Sequence, residues 1–553
     1  MDELTRRPER FTAEELEKIC GGKLYGEYND RPMPLSIDTR TMAVSECYFA
    51  IRGERLDGHR FIPDALRRGA ALIVADRNVT PEELPDGFTL GEVVSDKEAP
   101  PLPPPCPHHF ATKTSDPGAA VPGTECEGCS SAGKCDKMPP SLAAALAQLE
   151  CRSVPLLIVE DTTAALGAAA SEIRRRVGAY TAAVTGSVGK TTTKELTAAI
   201  FSEHGKTHMT EGNFNNLLGL PLTLMKLRGD EKASVLELGM NAGGEISRLS
   251  RVSQPDAAII TCIGRAHIEF FGSREGIRNA KLEIIDGLKE GGLLVLDGDE
   301  PLLAPSDPVI AEKKVYERFR VIRVGEGEAC DVRLGGSAEK NGGTEFSLAV
   351  GDRTLKDLFI PAIGRHILRD AAYAAAVALF GGAGITEKEI RDGIAGYRPA
   401  GMRQRIYEKN GMTVIEDCYN ASPESMKASL SVLSGLSCKR KIAVLGDMYE
   451  LGSVSEELHR EVGRAAAEAD PDLLVTVGKN AAGIAAGALA AGLDEKRVLS
   501  FPDYSPEDEN CCASLAGSLG SVLREGDCVL FKASRALKLE KAIGLCGLAP
   551  AED

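Results

Sequence analysis

The stretch from Ala182 to Leu196, AAVTGSVGKTTTKEL, decides how the centre of this chain folds. Its apolar start predicts the end of a buried strand, Gly186 to Gly189 predict a tight turn, and the sequence from Thr191 onward predicts an amphipathic helix. Glycines let backbone N–H groups approach an anion, and a helix start adds unpaired donors and a positive dipole end. The order of strand, turn and helix therefore predicts a phosphate-binding loop.

Two side chains of this stretch carry the chemistry that such a loop needs. Lys190 is placed to reach the outer phosphates of a nucleotide, and the Thr191 hydroxyl is placed to bind Mg²⁺. Val184 stands where the general pattern has its first glycine, so the loop is a shortened relative of the common form. The alternative is a glycine-rich turn that binds no ligand.

Composition bounds the class of protein. A chain of 553 residues is expected to form three or four domains, because single cores stop growing well below that size. The net charge of −16 argues against nucleic acid as a partner, although a nucleotide needs only a local pocket. No run resembles a signal peptide or approaches the roughly 20 apolar residues of a membrane span, so we expect a cytoplasmic protein. The 15 cysteines are odd in number and scattered, which indicates small buried side chains more than disulfides.

Four segments follow from the pattern along the chain: an N-terminal domain at 1–96, an insertion or linker at 97–149, a central domain at 150–398 and a C-terminal domain at 399–553. The first mixes short strands at 47–51 and 71–74 with a helix at 62–68. The later segments alternate strands and helices, which predicts mostly parallel sheets. The fold class is therefore α/β, with a small N-terminal α/β domain, a central ATPase-type domain and a C-terminal doubly wound domain.

The segment at 97–149 is rich in Pro, Gly and Ser and contains a group of potential metal ligands: Cys106, His108, His109, Cys126, Cys129 and Cys135. The C-x-x-C spacing is typical of zinc knuckles, and the remaining members could complete a zinc or iron–sulfur site. Only one such pair is present, so a loop without metal is the alternative.

Polar residues follow several predicted strands, where ligands of parallel sheets bind. Glu237 and His267 are expected at the same sheet edge as Lys190, and Glu237 is a credible Mg²⁺ ligand. A lone loop histidine is more often a surface residue. Lys281 has the spacing of a solvated helix lysine.

The same pattern occurs near both ends of the chain. Five residues follow C-terminal strands and are expected to face a cleft: Asp417, Asn420, Lys532, Ser534 and Arg535. The N-terminal cluster of Asp38, Thr39 and Arg40 either binds a ligand or forms a turn.

Seven stretches together resemble the Mur ligases: TGSVGKTTTKEL, EGNFNNLLGLPLTLM, LELGMNAGGEI, IGRAHIEFFGS with NAKLEI, VIEDCYNASPESMKA, VLGDMYELG and LFKASRALKLE. Among members of that family, they most resemble the ligase that adds D-alanyl-D-alanine to UDP-N-acetylmuramoyl-tripeptide. The resemblance implies an N-terminal domain for the uridine nucleotide, a central ATPase domain and a Rossmann-like C-terminal domain. It also implies an ATP-dependent ligase of peptidoglycan synthesis that acts through an acyl phosphate.

The resemblance assigns roles to single residues. The ATP phosphates would be held by Gly186, Ser187, Val188, Gly189, Lys190, Thr191 and Thr192, and the nucleotide site would be closed by His366, Arg403, Asp417 and Asn420. Two Mg²⁺ ions would be held by Thr191, Glu237, His267 and Lys281, with Lys281 as a carbamate. The substrates would be held by Asp38, Thr39, Arg40, Asn213, Asn215, Asn216, Lys532, Ser534 and Arg535.

Ile367 and Asp370 depart from the family, which usually carries asparagines at both places. That departure leaves the adenine contacts open. Two other functions remain open: a sibling ligase that adds a single amino acid, and a conformational ATPase or binding module. We expect small-molecule substrates, no nucleic acid partner and a monomeric chain.

Overall fold

The computed structural model describes residues 7–53, 56–77, 79, 84–85, 88–90, 152–340, 342–399 and 401–550. The predicted metal ligands of the segment at 97–149 lie outside these residues. The chain divides into two compact units, Met1–Arg176 and Val177–Asp553.

A five-stranded sheet forms the centre of the first unit. The described strands of this unit are β1 (Lys23–Tyr25), β2 (Leu35–Ser36), β3 (Cys47–Phe49), β4 (Leu72–Ala75), β5 (Phe88–Leu90), β6 (Arg152–Val154) and β7 (Leu156–Ile158). The helices are α1 (Ala13–Cys20), α2 (Ile62–Arg67) and α3 (Thr162–Val177). The sheet order is β1-β7-β4-β3-β2, with β1 antiparallel and the other pairs parallel, while β5 and β6 pair separately.

The position of β7 differs from the domain division expected from the sequence. The residues from 150 onward were expected in the central domain, but β7 pairs with β1 and β4, so the first unit reaches Arg176. The local sequence of a short apolar strand does not indicate which sheet the strand joins. The other expected boundaries stay predictions.

The second unit begins with a nine-stranded sheet. Its strands are β8 (Tyr180–Thr185), β9 (Thr207–Met209), β10 (Ala233–Glu237), β11 (Ala257–Ile260), β12 (Leu293–Asp297), β13 (Arg320–Gly325), β14 (Val332–Lys340), β15 (Gly343–Val350) and β16 (Arg353–Ile360). The order is β16-β15-β14-β13-β12-β11-β8-β10-β9, parallel from β14 to β9 and antiparallel at β15 and β16. The strand order reverses beside β8, which is where parallel sheets bind ligands.

Helices cover this sheet. They are α4 (Lys190–His204), α5 (Gly219–Leu224), α6 (Glu245–Ser253), α7 (Ile268–Phe271), α8 (Arg274–Leu282), α9 (Pro308–Glu312), α10 (Val315–Arg318), α11 (Arg365–Phe380) and α12 (Glu387–Ala395). Alanine and other good helix formers dominate α11, and its buried residues join the sheet and α4 in one apolar core. The predicted strand, turn and helix at the chain's centre are confirmed as β8 and α4.

A six-stranded sheet completes the second unit. Its strands are β17 (Arg405–Lys409), β18 (Met412–Asp417), β19 (Arg440–Gly446), β20 (Leu473–Val477), β21 (Val498–Phe501) and β22 (Asp527–Lys532). Its helices are α13 (Pro423–Gly435), α14 (Ser455–Glu468), α15 (Ala482–Ala490), α16 (Glu509–Val522) and α17 (Glu540–Leu545). The order is β17-β18-β22-β19-β20-β21, with all pairs parallel except β17 with β18. This confirms the predicted alternation of strands and helices.

The helices of the described ranges are too short or too polar to span a bilayer.

Candidate active site

The phosphate loop, residues 186–190, joins β8 to α4 at the carboxyl edge of the nine-stranded sheet. Gly189 has a φ of +85°, and a side chain there would collide with the carboxylate of Asp370. Lys190 Nζ donates to the carbonyl oxygen of Gly186 at 2.9 Å, so the lysine folds back over the loop. Burial lowers the pKa of Lys190, while the charge of Glu237 opposes that shift.

Glu237 ends β10 beside this loop and is almost completely buried. The Thr191 hydroxyl donates to Glu237 Oε2 at 2.8 Å, and Asn215 Nδ2 donates to Glu237 Oε1 at 2.8 Å. The carboxylate and the hydroxyl therefore form a pair of adjacent oxygen atoms at the edge of the sheet.

Lys281 lies on α8 and is only 1% exposed, so the expectation of a solvated helix lysine is wrong. Burial lowers its pKa well below the usual value, and the charge of Lys190 lowers it further. No hydrogen bond or ion pair joins Lys281 Nζ to another described side chain. Lysine side chains are rarely buried so completely unless they are paired.

His267 begins α7 with a φ of 65°, an uncommon conformation for a residue other than glycine. Its Nδ1 lies 2.5 Å from Glu450 Oε2, which belongs to the loop after β19. The proximity of the imidazole lowers the pKa of Glu450. The expectation that His267 lies near Lys190 holds, because both residues line one cavity.

The six-stranded sheet supplies the facing group of side chains. Lys532 at the end of β22 is buried, and its Nζ lies 2.5 Å from Asp417 Oδ2 at the end of β18. Lys532 Nζ also donates to the carbonyl oxygen of Asn420 at 3.2 Å, and the Ser429 hydroxyl donates to Asp417 Oδ2 at 2.7 Å. The strand-end rule thus correctly predicted that Asp417, Asn420 and Lys532 lie together.

The linker between the two sheets adds further polar groups. The guanidinium of Arg403 lies over the ring of Tyr419, 3.9 Å from its centroid. Gln404 Oε1 lies 2.6 Å from His366 Nε2, and Gln404 Nε2 donates to the carbonyl oxygen of Ile363. Burial lowers the pKa of His366.

These groups line one cavity of about 710 Å³ between the two sheets of the second unit. The predicted site residues that line it are Ser187, Val188, Gly189, Lys190, Thr191, Thr192, Asn213, Asn215, Asn216, Glu237, His267, Lys281, His366, Arg403, Asp417, Asn420 and Lys532. A phosphate loop therefore faces two buried strand ends across a space large enough for a nucleotide.

Comparison with known proteins identifies the family. Residues 184–378 match the Mur ligase middle domain, residues 402–535 match "Mur ligase, glutamate ligase domain", and residues 34–103 match "Mur ligase family, catalytic domain". The Bacillus subtilis UDP-N-acetylmuramoyl-tripeptide--D-alanyl-D-alanine ligase is 34% identical over 511 residues, covering 92% of each chain. The chain belongs to the Mur ligase family.

Solved structures agree with this assignment. A crystal structure of MurF from Acinetobacter baumannii superposes with a TM-score of 0.75 at 25% identity, covering 98% of this chain and 99% of that one. The MurF ligase of Thermotoga maritima in complex with ADP gives a TM-score of 0.69 at 25% identity, covering 93% and 96% of the two chains.

Some predicted residues of this Mur ligase do not line the cavity, among them Gly186 of the phosphate loop and two residues that follow β22. Ser534 is buried, and its hydroxyl accepts the backbone N–H of Tyr449 at 3.1 Å. Arg535 is half exposed and pairs with Glu540 at 2.5 Å. A role of both in holding the incoming dipeptide stays a prediction.

The predicted uridine-nucleotide residues lie in the first unit. Arg40 pairs with Asp38 at 2.7 Å, and the backbone N–H of Arg40 donates to Asp38 Oδ1 at 2.9 Å. Thr39 is buried between them. The contacts describe a turn closed by its own aspartate, and ligand binding there stays a prediction.

Sequence reasoning missed that two carboxyl groups, those of Asp297 and Asp370, line the cavity of this Mur ligase, although it had noted Asp370 as a departure from the family. Asp297 ends β12, and burial raises its pKa to about 6 although Arg369 lies nearby. Asp370 accepts a hydrogen bond from Thr193 Oγ1 at 3.1 Å. The position of Asp297 at a strand end was a usable signal, whereas only the folded structure brings Asp370 to the phosphate loop.

Proposed function

We propose that this Mur ligase uses ATP to join D-alanyl-D-alanine to UDP-N-acetylmuramoyl-tripeptide. The observation that carries the proposal is the cavity in which the phosphate loop faces Asp417 and Lys532. The B. subtilis relative named for this reaction covers 92% of the chain, and the Thermotoga maritima neighbour is a complex with ADP. The reaction would be a cytoplasmic step of peptidoglycan synthesis performed by a monomer, which size-exclusion chromatography tests.

Magnesium fits the residues beside the phosphate loop. Thr191 and Glu237 offer adjacent hard oxygen atoms, and His267 and Lys281 line the same cavity. No cluster of three or more His, Cys, Asp or Glu side chains is present in the described part of the chain. Mg²⁺ usually binds through one or two protein carboxylates, with waters and substrate phosphates as its other ligands. When bound, two Mg²⁺ ions would neutralise the charge that develops on phosphoryl oxygens.

The lowered pKa of the Lys281 amine supports a carbamate at this position. Only an unprotonated amine attacks CO₂, and burial lowers the pKa of this amine well below its usual value. The carbamate would carry a negative charge beside Lys190, so its interaction with that cation would be attractive.

The residues of this chain would then act in a two-step acyl transfer. The terminal carboxylate of the tripeptide attacks the γ-phosphorus, the bond to ADP breaks, and an acyl phosphate forms. Lys190 and the backbone N–H groups of the phosphate loop balance the negative charge of the phosphates. The amine of D-alanyl-D-alanine next attacks the acyl carbon, loses a proton, and displaces phosphate. Asp417, Asn420 and Arg403 would close the nucleotide site and bring the reactants together.

The amide and basic residues would bind the two substrates. Asn213, Asn215 and Asn216 would line the path of the muramoyl peptide, and Lys532, Ser534 and Arg535 would lie near the dipeptide. In the first unit, Asp38, Thr39 and Arg40 would hold the uridine nucleotide. The hydrogen bond from Asn215 to Glu237 supports a link between this path and the metal ligands.

Mass spectrometry of the products tests the proposal. The protein is incubated with ATP, Mg²⁺ and UDP-N-acetylmuramoyl-tripeptide, and with either D-alanyl-D-alanine or single amino acids. We expect one amide product with the dipeptide, together with ADP and phosphate. A product with a single amino acid instead would indicate the sibling reaction. ATP hydrolysis without any amide would indicate a conformational ATPase and would refute the proposal.

A further inference from the structure

Arg265 links the two halves of the second unit, one built on the nine-stranded sheet and the other on the six-stranded sheet. It follows β11, and its Nε donates to Glu424 Oε1 at 2.8 Å on α13. Its Nη1 and Nη2 donate to the two carboxylate oxygens of Glu461 on α14 at 2.6 and 2.8 Å. Lys427 also pairs with Glu461. One guanidinium thus binds two helices of the six-stranded half with the geometry of a strong ion pair.

The segment that carries Arg265 is fixed to the phosphate loop. The N–H of Gly264 donates to Ser187 Oγ at 2.9 Å. A Cβ on Gly264 would lie 3.0 Å from Glu424 Oε2 and 3.1 Å from Ser187 Cβ, so Glu424 packs closely against this backbone. The phosphate loop, Gly264, Arg265 and the first turn of α13 form a continuous set of contacts.

The helix held in this way positions one wall of the cavity. Glu424 lies in the first turn of α13, directly after the segment from Asp417 to Ser422, whose members Asp417 and Asn420 line the cavity. A shift of α13 relative to the phosphate loop would therefore change the width of the nucleotide site.

The pairs are only partly exposed to solvent. The side chain of Arg265 is 22% exposed, and those of Glu424 and Glu461 are 32% and 24% exposed. The guanidinium of Arg265 lowers the pKa of Glu461 to about 2, so Glu461 keeps its negative charge at neutral pH. Isolated exposed pairs contribute little, but a partly buried two-helix network has less competition from water.

We propose that Arg265 is a positioning residue, which holds α13 and α14 against the segment after β11 and thereby keeps Asp417 and Asn420 over the phosphate loop. This inference deepens the proposed function and rests on it for the identity of the nucleotide. Loss of Arg265 is expected to weaken nucleotide binding although the residue does not line the cavity.

The test measures ADP binding by titration calorimetry, together with KM for ATP and kcat in the ligase reaction. We expect Arg265→Ala to weaken ADP binding and raise KM for ATP by about tenfold, which corresponds to about 1.4 kcal/mol. Glu461→Gln, which keeps the side-chain shape, should give a similar change. Because both substitutions break the same network, the double variant should bind ADP no more weakly than Arg265→Ala does.

A matched control is the exposed pair of Arg318 with Glu290 in the same unit. Arg318→Ala should leave ADP binding and KM unchanged. Thermal denaturation checks that each variant folds, and Glu461→Gln tests the inference even where Arg265→Ala does not fold. If Arg265→Ala and Glu461→Gln bind ADP as tightly as the wild-type protein, or if their losses of affinity add in the double variant, the inference is overturned. Ligase activity of the wild-type protein would still uphold the proposed function in that case. Absence of ADP binding and ligase activity in the wild-type protein would instead refute the proposed function.

Discussion

Lys281 is buried and Lys190 is partly buried at one cavity, and burial lowers the pKa of each amine. Lys190 donates to the carbonyl oxygen of Gly186, so it can be held as a cation beside phosphate oxygens. Lys281 is more deeply affected, because the positive charge of Lys190 adds to the burial. At the residue scale, Lys190 is therefore suited to binding phosphate as a cation, and Lys281 is suited to forming a carbamate.

Replacement of Lys281 tests the carbamate. We expect Lys281→Ala to lower kcat by about 100-fold, since the variant lacks the anion that would bind Mg²⁺, and short-chain carboxylates should restore part of the activity. The control is Lys289→Ala, which removes an exposed lysine paired with Asp256 and should leave kcat unchanged. Full activity of Lys281→Ala without added carboxylate would remove the carbamate hypothesis.

Asp370 is a second buried titratable residue, and burial raises the pKa of its carboxyl group well above the usual value. The folded state therefore binds a proton more tightly than the unfolded state. Below the unfolded pKa of about 3.9, the carboxyl group is protonated in both states and does not change the free energy of unfolding. As pH rises from there through the folded pKa, the free energy of unfolding falls.

An asparagine at position 370 keeps the side-chain shape without this charge. We expect Asp370→Asn to be more stable than the wild-type protein at pH 8 by about 1 kcal/mol or more, with the difference disappearing toward pH 4. Thermal denaturation at both pH values measures the effect. An equal gain at both pH values would show that ionisation of Asp370 is not the cause.

At the element scale, the phosphate loop depends on close approach between two helices. The start of α4 and the side chain of Asp370 on α11 meet at Gly189, where no Cβ fits. The left-handed φ of Gly189 also disfavours other residues. The pattern of glycines predicted the turn, but it could not show that a residue so much further along the chain fills the space beside it.

Replacement of Gly189 tests this geometry. We expect Gly189→Ala to weaken ADP binding by at least about tenfold, because the loop must move away from Asp370 or adopt another φ. The control is Gly517→Ala on α16, where a Cβ meets no other atom within 4 Å. This variant should bind ADP normally and gain up to about 1 kcal/mol of stability. Normal ADP binding by Gly189→Ala would contradict the proposed loop geometry.

At the scale of the whole molecule, the sequence predicted the α/β class and the order of its elements because apolar periodicity and glycine turns are local signals. It also predicted that Glu237 lies at the carboxyl edge of one sheet and that Asp417 and Lys532 lie at the carboxyl edge of another, since the ends of parallel strands meet at such edges. Side-chain partners distant in sequence were not predictable: Arg265 and Glu461 are 196 residues apart. The placement of β7 failed for the same reason, because its pairing depends on strands far along the chain.

The measurement that most directly tests the central claim is the transfer of ¹⁸O from the substrate carboxylate. UDP-N-acetylmuramoyl-tripeptide labelled in its terminal carboxylate is incubated with ATP, Mg²⁺ and D-alanyl-D-alanine, and the released phosphate is examined by mass spectrometry. Activation at the phosphate loop predicts one ¹⁸O in each phosphate and a matching amount of amide product, and it predicts that Lys190→Ala releases no labelled phosphate. Amide product accompanied by unlabelled phosphate would contradict an acyl phosphate formed at this site.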